Sequence, residues 1–321
     1  MKSMCAAIMA LALVLTGFAT RAATTQRLSI ATGGTGGVYY PMGGAMAAVI
    51  SKYLPSTEAT AEVTAASVDN CLLISQKKAD LAFSMADTAW DAYSGVGKPF
   101  PRKLPLRTVL ALYPNNLHLV TLEGKGIEKA ADLKGKRVST GAPGSGTEVM
   151  GIRLLEAAGL NPDKDVKRDR LSVSESAGAL KDGKIDAFIW GGGIPTAAVL
   201  DLAATPGVRI KLVPHGDLVA KMREKYGPIY VTGVIPAHAY PGQTKEVSIA
   251  VVWNVLVCNE SLPENLAYSI TKVLLEHRSE IVAVHKDASY ITLRNQASGA
   301  SPIPFHAGAL RYLKEQGLNV K

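Results

Sequence analysis

Short apolar runs alternate with helical stretches through the first half of this chain. The order is strand, glycine-rich loop, helix, strand, helix, strand and helix, and it begins at Leu28. Apolar residues that recur every three or four positions indicate one buried face of a helix. The first predicted helix, residues 40–53, has this spacing in Met42, Met46 and Ile50. Alternating strands and helices predict a parallel βαβ series.

The second half of the chain repeats the same order. The predicted strands cover residues 28–32, 60–64, 80–85, 137–140, 169–173 and 185–190. The predicted helices cover residues 40–53, 68–78, 88–93, 147–158, 176–181 and 195–203. Equivalent points, such as Phe83 and Phe188, are too far apart in sequence for a solenoid repeat. We therefore interpret the period as a duplicated lobe.

Two further apolar stretches, residues 108–122 and 229–236, are predicted strands that cross between the lobes. After the second crossing we expect a strand at 247–257, a helix from 263 to about 285 and a last helix at 307–316. The predicted fold is α/β with two lobes and a central cleft. Residues 27–113 and 236–321 form the discontinuous first lobe, and residues 117–230 form the second. Open parallel sheets bind ligands at the carboxyl ends of their strands, which is where the cleft lies.

The N-terminus is typical of a secretory signal peptide. Lys2 is followed by an apolar run over residues 6–15 and then by small residues around Ala22. The apolar run is too short to span a bilayer, and no later stretch of the sequence is long and apolar enough. We predict a signal peptide over residues 1–22 and an exported, soluble mature protein.

Composition and charge narrow the class of protein. The 321 residues are 47% hydrophobic and 19% charged, which favours two globular domains. The formal net charge is +8, but lysines and arginines are scattered among acids, so we expect no binding to nucleic acid. Cys71 lies in a predicted helix and Cys258 in a predicted strand. In an oxidising compartment such a pair permits a disulfide, but we favour two buried free thiols.

The strongest chemical signal is a pair of glycine-rich loops at equivalent places, residues 33–37 and 141–147. Each follows a predicted strand and precedes a predicted helix. Glycines let backbone N–H groups converge, and a helix start leaves donors unpaired, so each loop favours an anion. The first loop lacks the glycine order of a dinucleotide fold and the Gly-Lys of a P-loop. One loop alone fits a tight turn equally well; two favour binding.

Candidate ligand-binding residues also lie outside these loops. They are Tyr39, Tyr40, Asn70, Asp87, Trp190 and Gly193. The tyrosines follow the first loop directly, and each fits either a cleft donor or core packing. Asn70 lies beside possible helix caps, so a capping cluster is the alternative. Asp87 and Trp190 end paired strands, and Gly193 closes a glycine run that fits a hinge as well as a donor patch.

Catalytic and metal sites have little support. Ser145 is not in a Gly-x-Ser-x-Gly elbow, and no histidine or acid can be matched to it. The histidines are dispersed without metal-ligand spacing. We predict no catalytic residue, no metal and no cofactor. The alternative is an exported hydrolase or transferase that uses Ser145 or Asp87 in the same cleft.

Several motifs together resemble the TAXI family of TRAP-transporter substrate-binding proteins. The first is the run Ile-Ala-Thr-Gly-Gly-Thr-Gly-Gly-Val-Tyr-Tyr-Pro at residues 30–41. The others are residues 67–70, 79–83, 133–138, 141–147, 155–159, 235–236, 240–243 and 303–309. No single motif is decisive, but their order and spacing are specific. The resemblance covers nearly the whole mature chain.

This resemblance implies a two-lobed, type II periplasmic binding protein. It implies capture of a small carboxylate, such as glutamate, a 2-oxo acid or a dicarboxylate, and delivery to the membrane permease subunits of a TRAP transporter. We expect a periplasmic monomer. The family's ligand residues carry over to Thr35, Gly36, Gly37, Tyr40, Asn70, Ser145, Gly146 and Thr147. A binding protein of an ATP-driven importer or of a sensor kinase is the alternative partner class.

The sequence also departs from the family pattern. Asp69 stands where glutamate is common, and Phe305-His306-Ala307 stands where a His-Pro pair is usual. Trp190 and the glycines at 191–193 lie where the family varies. These departures predict that the ligand differs from glutamate.

Overall fold

The computed structural model describes residues 25–320. The predicted signal peptide, residues 1–22, therefore lies outside the described residues. Within the described part, none of the helices combines the length and the apolar character that a membrane crossing needs.

Ten strands of residues 25–320 form one sheet. They are β1 (Gln26–Ala31), β2 (Thr57–Glu62), β3 (Leu81–Met85), β4 (Leu106–Leu122), β5 (Arg137–Ser139), β6 (Lys167–Asp169), β7 (Ala187–Gly192), β8 (Ile210–Leu212), β9 (Val231–Ile235) and β10 (Val247–Asn259). The order is β2-β1-β3-β10-β4-β7-β5-β6, with β8 on β4 and β9 on β10.

Helices cover both faces of this sheet. They are α1 (Tyr39–Tyr53), α2 (Ser67–Ser75), α3 (Ala86–Ser94), α4 (Gly146–Ala157), α5 (Val173–Lys181), α6 (Ala197–Ala204), α7 (Val219–Tyr226), α8 (Glu264–Glu276), α9 (Arg278–Val284), α10 (Leu293–Gln296) and α11 (Ala307–Glu315).

Two parallel half-sheets are joined by the long antiparallel strands β4 and β10. In the first lobe β1 pairs in parallel with β2 and β3, and in the second lobe β5 pairs in parallel with β6 and β7. Residues 106–116 of β4 pair with β10 on one side, and residues 116–122 pair with β7 and β8. One strand therefore belongs to both lobes, and the predicted two-lobed α/β fold is confirmed.

The return crossing lies later in the chain than the sequence predicts. Residues 229–236 do not cross: β9 pairs only with residues 247–251 of β10, and Ile235 packs in the core of the second lobe. Leu256 pairs with β3 of the first lobe. The register of β10 against β4 shifts between Trp253 and Val255. The return crossing is therefore made by β10, because this strand, unlike the short β9, is long enough to reach both lobes.

Other boundaries also differ from the predictions. The single helix expected over 263–285 is two helices, α8 and α9, which meet at His277. The short strand β8 and the polar helix α7 are not in the prediction, since neither carries a strong apolar periodicity.

Buried apolar clusters lie on both faces of the sheet. One cluster packs α1 against α8 in the first lobe, and another packs α5 against α6 in the second. A third joins the lobes and includes Ala89 of α3 and Met150 and Leu154 of α4. Cys71 and Cys258 are buried free thiols, as predicted.

Candidate functional site

A cavity of about 250 Å³ lies between the lobes, at the carboxyl ends of β1, β3, β5 and β7. Its lining comprises residues 33–39, 63–67, Met85, Tyr113, Ala142, residues 145–147, residues 172–174 and residues 190–192. Both glycine loops predicted from the sequence contribute to it. The cavity therefore occupies the position where open α/β folds bind small molecules.

The first loop leads into α1 without a capping side chain. The N-cap residue is Val38, whose apolar side chain accepts no hydrogen bond. Gly37 donates its N–H to the carbonyl of Gly34 at 3.1 Å, which tightens the loop. Among the described residues no acceptor takes the N–H of Tyr39 or Tyr40. The positive end of the α1 dipole is therefore open at the cavity edge.

The second loop is ordered by Ser145, the N-cap of α4. Its Oγ accepts from the N–H of Glu148 at 3.1 Å and donates to the carbonyl of Ala142 at 2.7 Å. These bonds leave the N–H groups of Gly146 and Thr147 without an acceptor in residues 25–320. The side chain of Glu148 accepts from Arg170 at 2.9 Å and does not complete a capping box with Ser145.

A third helix start, that of α5, also lines the cavity. Ser172 and Glu175 form a capping box, with Ser172 N–H donating to Glu175 Oε2 at 2.8 Å. The N–H groups of Val173 and Ser174 have no acceptor in the described part of the chain. The predicted helix begins at 176, so the sequence prediction missed this helix start. The Ser-x-x-Glu spacing at residues 172–175, which is typical of a capping box, indicated it.

Two buried tyrosines, Tyr39 and Tyr113, line the cavity. Tyr39 donates its hydroxyl to Asn254 Oδ1, and Asn115 Nδ2 donates to the same oxygen at 2.9 Å. Burial raises the pKa of Tyr39 and of Tyr113 well above the ordinary tyrosine range, so both phenols stay protonated. The Tyr113 hydroxyl is buried and has no partner among the described residues.

The lobes touch each other directly around the cavity. The carbonyl of Gly144 in the second lobe accepts from the N–H groups of Val68 and Asp69, at 3.0 and 3.1 Å, at the start of α2 in the first. In the opposite direction the carbonyl of Gly36 accepts from Ala198 N–H at 3.4 Å, at the start of α6. Reciprocal bonds of this kind describe a closed arrangement of the two lobes.

Behind the cavity, a buried ion cluster joins α3 of the first lobe to α4 of the second. Arg153 donates to Asp91 and to the hydroxyl of Tyr230, the latter at 2.8 Å. Tyr230 donates to Asp87 at 2.6 Å. Asp87 is fully buried and the Arg153 side chain is 12% exposed. Two carboxylates therefore share one guanidinium across the lobe boundary.

The pKa of Asp91 predicts a pH dependence of stability. Burial raises this pKa to about 6, although Arg153 opposes the shift. The folded protein then binds this proton more tightly than the unfolded chain, so the contribution to the free energy of unfolding falls as pH rises from about 4 to about 6. The change is on the order of 1–2 kcal/mol after allowance for the remaining solvent contact. Urea unfolding at several pH values should show a flatter slope for Asp91→Asn than for the wild type, and equal slopes would contradict this.

Eight of the predicted ligand residues line the cavity. They are Thr35, Gly36, Gly37, Tyr39, Ser145, Gly146, Thr147 and Trp190. Trp190 donates its indole N–H to Thr196 at 2.9 Å, and its ring lies against Gly37 across the cleft. Whether these residues bind a ligand stays a prediction.

Four other predicted residues lie outside the lining: Tyr40, Asn70, Asp87 and Gly193. Tyr40 is 36% exposed on α1. Asn70 is fully buried and donates to the carbonyls of Thr32 and Phe83 at 2.7 and 2.8 Å, so its amide joins β1 to β3. Asp87 belongs to the ion cluster.

Gly193 makes room for another side chain. A Cβ on this residue would lie 2.3 Å from Asp287 Oδ2, the atom that accepts from Ile194 N–H at 2.9 Å. The contact fastens the loop after β7 to the first lobe. Ser67, Met85 and Tyr113 line the cavity without having been predicted, and their residue types carry no signal that separates them from core positions.

The described residues hold no group of three or more His, Cys, Asp and Glu side chains that could bind a metal ion. The donors that converge on the cavity are backbone N–H groups and hydroxyls. Such donors bind an anion without side-chain charge, through aligned helix dipoles.

Comparisons with known proteins agree with this geometry. The profile of the NMT1-like family matches residues 30–317. The periplasmic aliphatic sulphonate binding protein SsuA from Escherichia coli superposes with a TM-score of 0.51 at 16% identity, over 90% of this chain and 83% of that one. A putative L-cystine ABC transporter protein from Listeria monocytogenes gives 0.50 at 17% identity, over 83% and 95%.

A protein described with glutathione import via GshT and the cystine ABC importer TcyBC of Streptococcus mutans gives a TM-score of 0.52 at 13% identity, over 83% of this chain and 95% of that one. At these identities the likeness shows the fold alone. That fold is the one of two-lobed periplasmic solute-binding proteins, whose lobes enclose a cleft.

Proposed function

The chain belongs to the NMT1-like family, and from this premise we propose that it is an exported solute-binding protein that captures a small organic acid for a membrane transporter. The observation that carries the proposal is the convergence of three helix starts on one cavity. The unpaired N–H groups at α1 come from one lobe, and those at α4 and α5 come from the other. A carboxylate between them would be bound by both lobes at once.

The geometry gives less support to catalysis. Ser145 Oγ is already engaged within the second loop. It accepts the hydrogen bond that caps α4 and donates to the carbonyl of Ala142. The other candidate nucleophile or acid, Asp87, is bonded to Tyr230 behind the cavity. An exported hydrolase or transferase would need a free hydroxyl or carboxyl facing the substrate.

For the partner, we propose the permease subunits of a TRAP-type secondary transporter, on the strength of the TAXI resemblance. The second candidate is an ATP-driven importer, which is favoured by the names of the structural neighbours from Listeria monocytogenes and Streptococcus mutans. Uptake of labelled acid by cells that make the protein distinguishes the TRAP-type transporter from the ATP-driven importer. Loss of uptake when the ion gradient collapses, with ATP maintained, supports the TRAP proposal.

Purified mature protein is expected to be stabilised by its acid ligand without consuming it. At a ligand concentration of about 100 times Kd, the stabilisation is about 2.7 kcal/mol, or a rise in Tm of roughly 5–10 °C. A thermal-shift screen should include glutamate, 2-oxoglutarate, C4 dicarboxylates, monocarboxylates and alkanesulfonates, with product analysis of each mixture. The matched control is Gly178→Ala, a helical position outside the lining where an added Cβ meets nothing within 4 Å. No stabilisation by any organic acid, or turnover lost in Ser145→Ala, would contradict the proposal.

A further inference from the structure

Among residues 25–320, no side chain that lines the cavity is charged at neutral pH. Over the described chain, the lining holds glycines, hydroxyl groups and apolar side chains, and its only titratable groups are Tyr39 and Tyr113. Both phenols are neutral because burial raises the pKa of each. The cavity therefore offers donors and partial positive charge from helix starts, but no negative charge.

Two acidic residues near the cavity, Glu148 and Asp287, lie outside its lining and are engaged by the protein. Glu148 is paired with Arg168 and Arg170. Asp287 accepts from the N–H of Ile194. An ammonium group inside the cavity would lose its hydration with no carboxylate to replace it, which is strongly unfavourable. A single negative group would instead meet the N–H groups of three helix starts.

The rest of the lining suits an uncharged ligand body. Apolar surface comes from Val38, Val63, Met85, Val173 and Trp190. The volume of about 250 Å³ is small for a ligand site, which limits the size of that body. A second carboxylate would need a second set of donors away from the helix starts, and this apolar surface does not provide one.

The orphan hydroxyl of Tyr113 adds a second requirement. A buried hydroxyl without a partner is unfavourable, and a ligand oxygen beside it would remove that penalty. The helix starts take the carboxylate, so the oxygen that meets this phenol is an uncharged carbonyl or hydroxyl oxygen on the ligand body. The other buried orphan nearby, Asn115 Oδ1, lies outside the lining and is a neutral amide oxygen, so it does not balance an ammonium charge.

Resting on the proposed function, we infer that the cavity selects a monoanionic acid with an uncharged, mainly apolar body that carries an oxygen for Tyr113. Zwitterionic amino acids and dianions are discriminated against. The cavity selects its ligand in two ways: its N–H donors bind an anion, and it offers no carboxylate to balance an ammonium group. Specificity is a difference between affinities, so the cost of burying the wrong group counts as much as the contacts to the right one. Tyr113 is then a specificity-determining residue.

Acids with matched carbon skeletons test this inference by calorimetry. The pairs are 4-methyl-2-oxopentanoate against L-leucine and 2-oxoglutarate against L-glutamate, with hexanoate as an acid that lacks the extra oxygen. We expect 4-methyl-2-oxopentanoate to bind at least 100-fold more tightly than L-leucine, and more tightly than 2-oxoglutarate. Tyr113→Phe should weaken binding of the oxo acid about tenfold more than binding of hexanoate, with Tm of the unliganded protein unchanged or higher.

The outcomes separate this inference from the proposed function. Equal or tighter binding of L-leucine or L-glutamate than of the matched oxo acids overturns the inference but leaves acid capture in place. If Tyr113→Phe weakens binding of the oxo acid and of hexanoate equally, the Tyr113 hydroxyl does not recognise the additional ligand oxygen. If no acid of any kind binds, the proposed function itself fails.

Discussion

Gly146→Ala is expected to weaken acid binding by at least about tenfold while the unliganded protein keeps its stability. A Cβ on Gly146 would lie 2.6 Å from Oγ and 2.9 Å from Cβ of Ser67, and 2.8 Å from Sδ of Met85. Both neighbours belong to the other lobe. The clash therefore exists only when the lobes are closed, so each lobe folds normally and closure on the ligand becomes unfavourable.

Calorimetry and thermal unfolding of the same samples measure this effect. A tenfold loss of affinity corresponds to about 1.4 kcal/mol. The control is Gly178→Ala in α5, where a Cβ meets nothing within 4 Å, so binding should not change and Tm should rise slightly. Wild-type affinity in Gly146→Ala would show that closure does not bring the second loop against Ser67 and Met85.

Arg153→Met is expected to lower the free energy of unfolding by about 3–5 kcal/mol at neutral pH. The arginine is the cation of the buried cluster, and its loss leaves Asp87 and Asp91 next to each other without a counter-charge. A buried carboxylate that has lost its partner is far less stable than one in water. Urea denaturation at pH 7.5, which lies above the pKa of Asp91, measures the change.

Two further variants control this experiment. Adding Asp87→Asn and Asp91→Asn to Arg153→Met should restore most of the lost stability, because the buried negative charges are gone. Arg311→Met breaks an exposed pair with Glu264 and should cost less than about 1 kcal/mol. A loss in Arg153→Met as small as that in Arg311→Met would mean that the cluster contributes little to the fold.

Local patterns were enough to predict the units of this fold. A strand, a glycine loop and a helix start are set by neighbouring residues, so the loops at 33–37 and 141–147 were found at the correct ends of β1 and β5. The return crossing was misplaced because residues 229–236 and 247–257 are both apolar, and only strand pairing shows which of them reaches the first lobe.

The roles of single polar residues were harder to predict. Asn70 and Asp87 have the residue types of ligand-binding groups, yet their partners are carbonyls and side chains that the sequence places far away. The opposite error applies to Tyr113. It lies in an apolar strand, so the sequence indicates a core residue and not a ligand-binding one. Its unpartnered hydroxyl at the cavity is visible only when the surrounding chain is in place.

The sequence by itself determined most of the order of strands and helices, the duplicated lobe and the two loops with open backbone donors, because these features depend on residues close together in the chain. The tertiary structure alone decided that three helix starts share one cavity, that the lining lacks charge and that Arg153 joins the lobes. Those properties depend on contacts between distant segments. The residue types alone therefore do not predict these properties, which arise only when the two lobes come together.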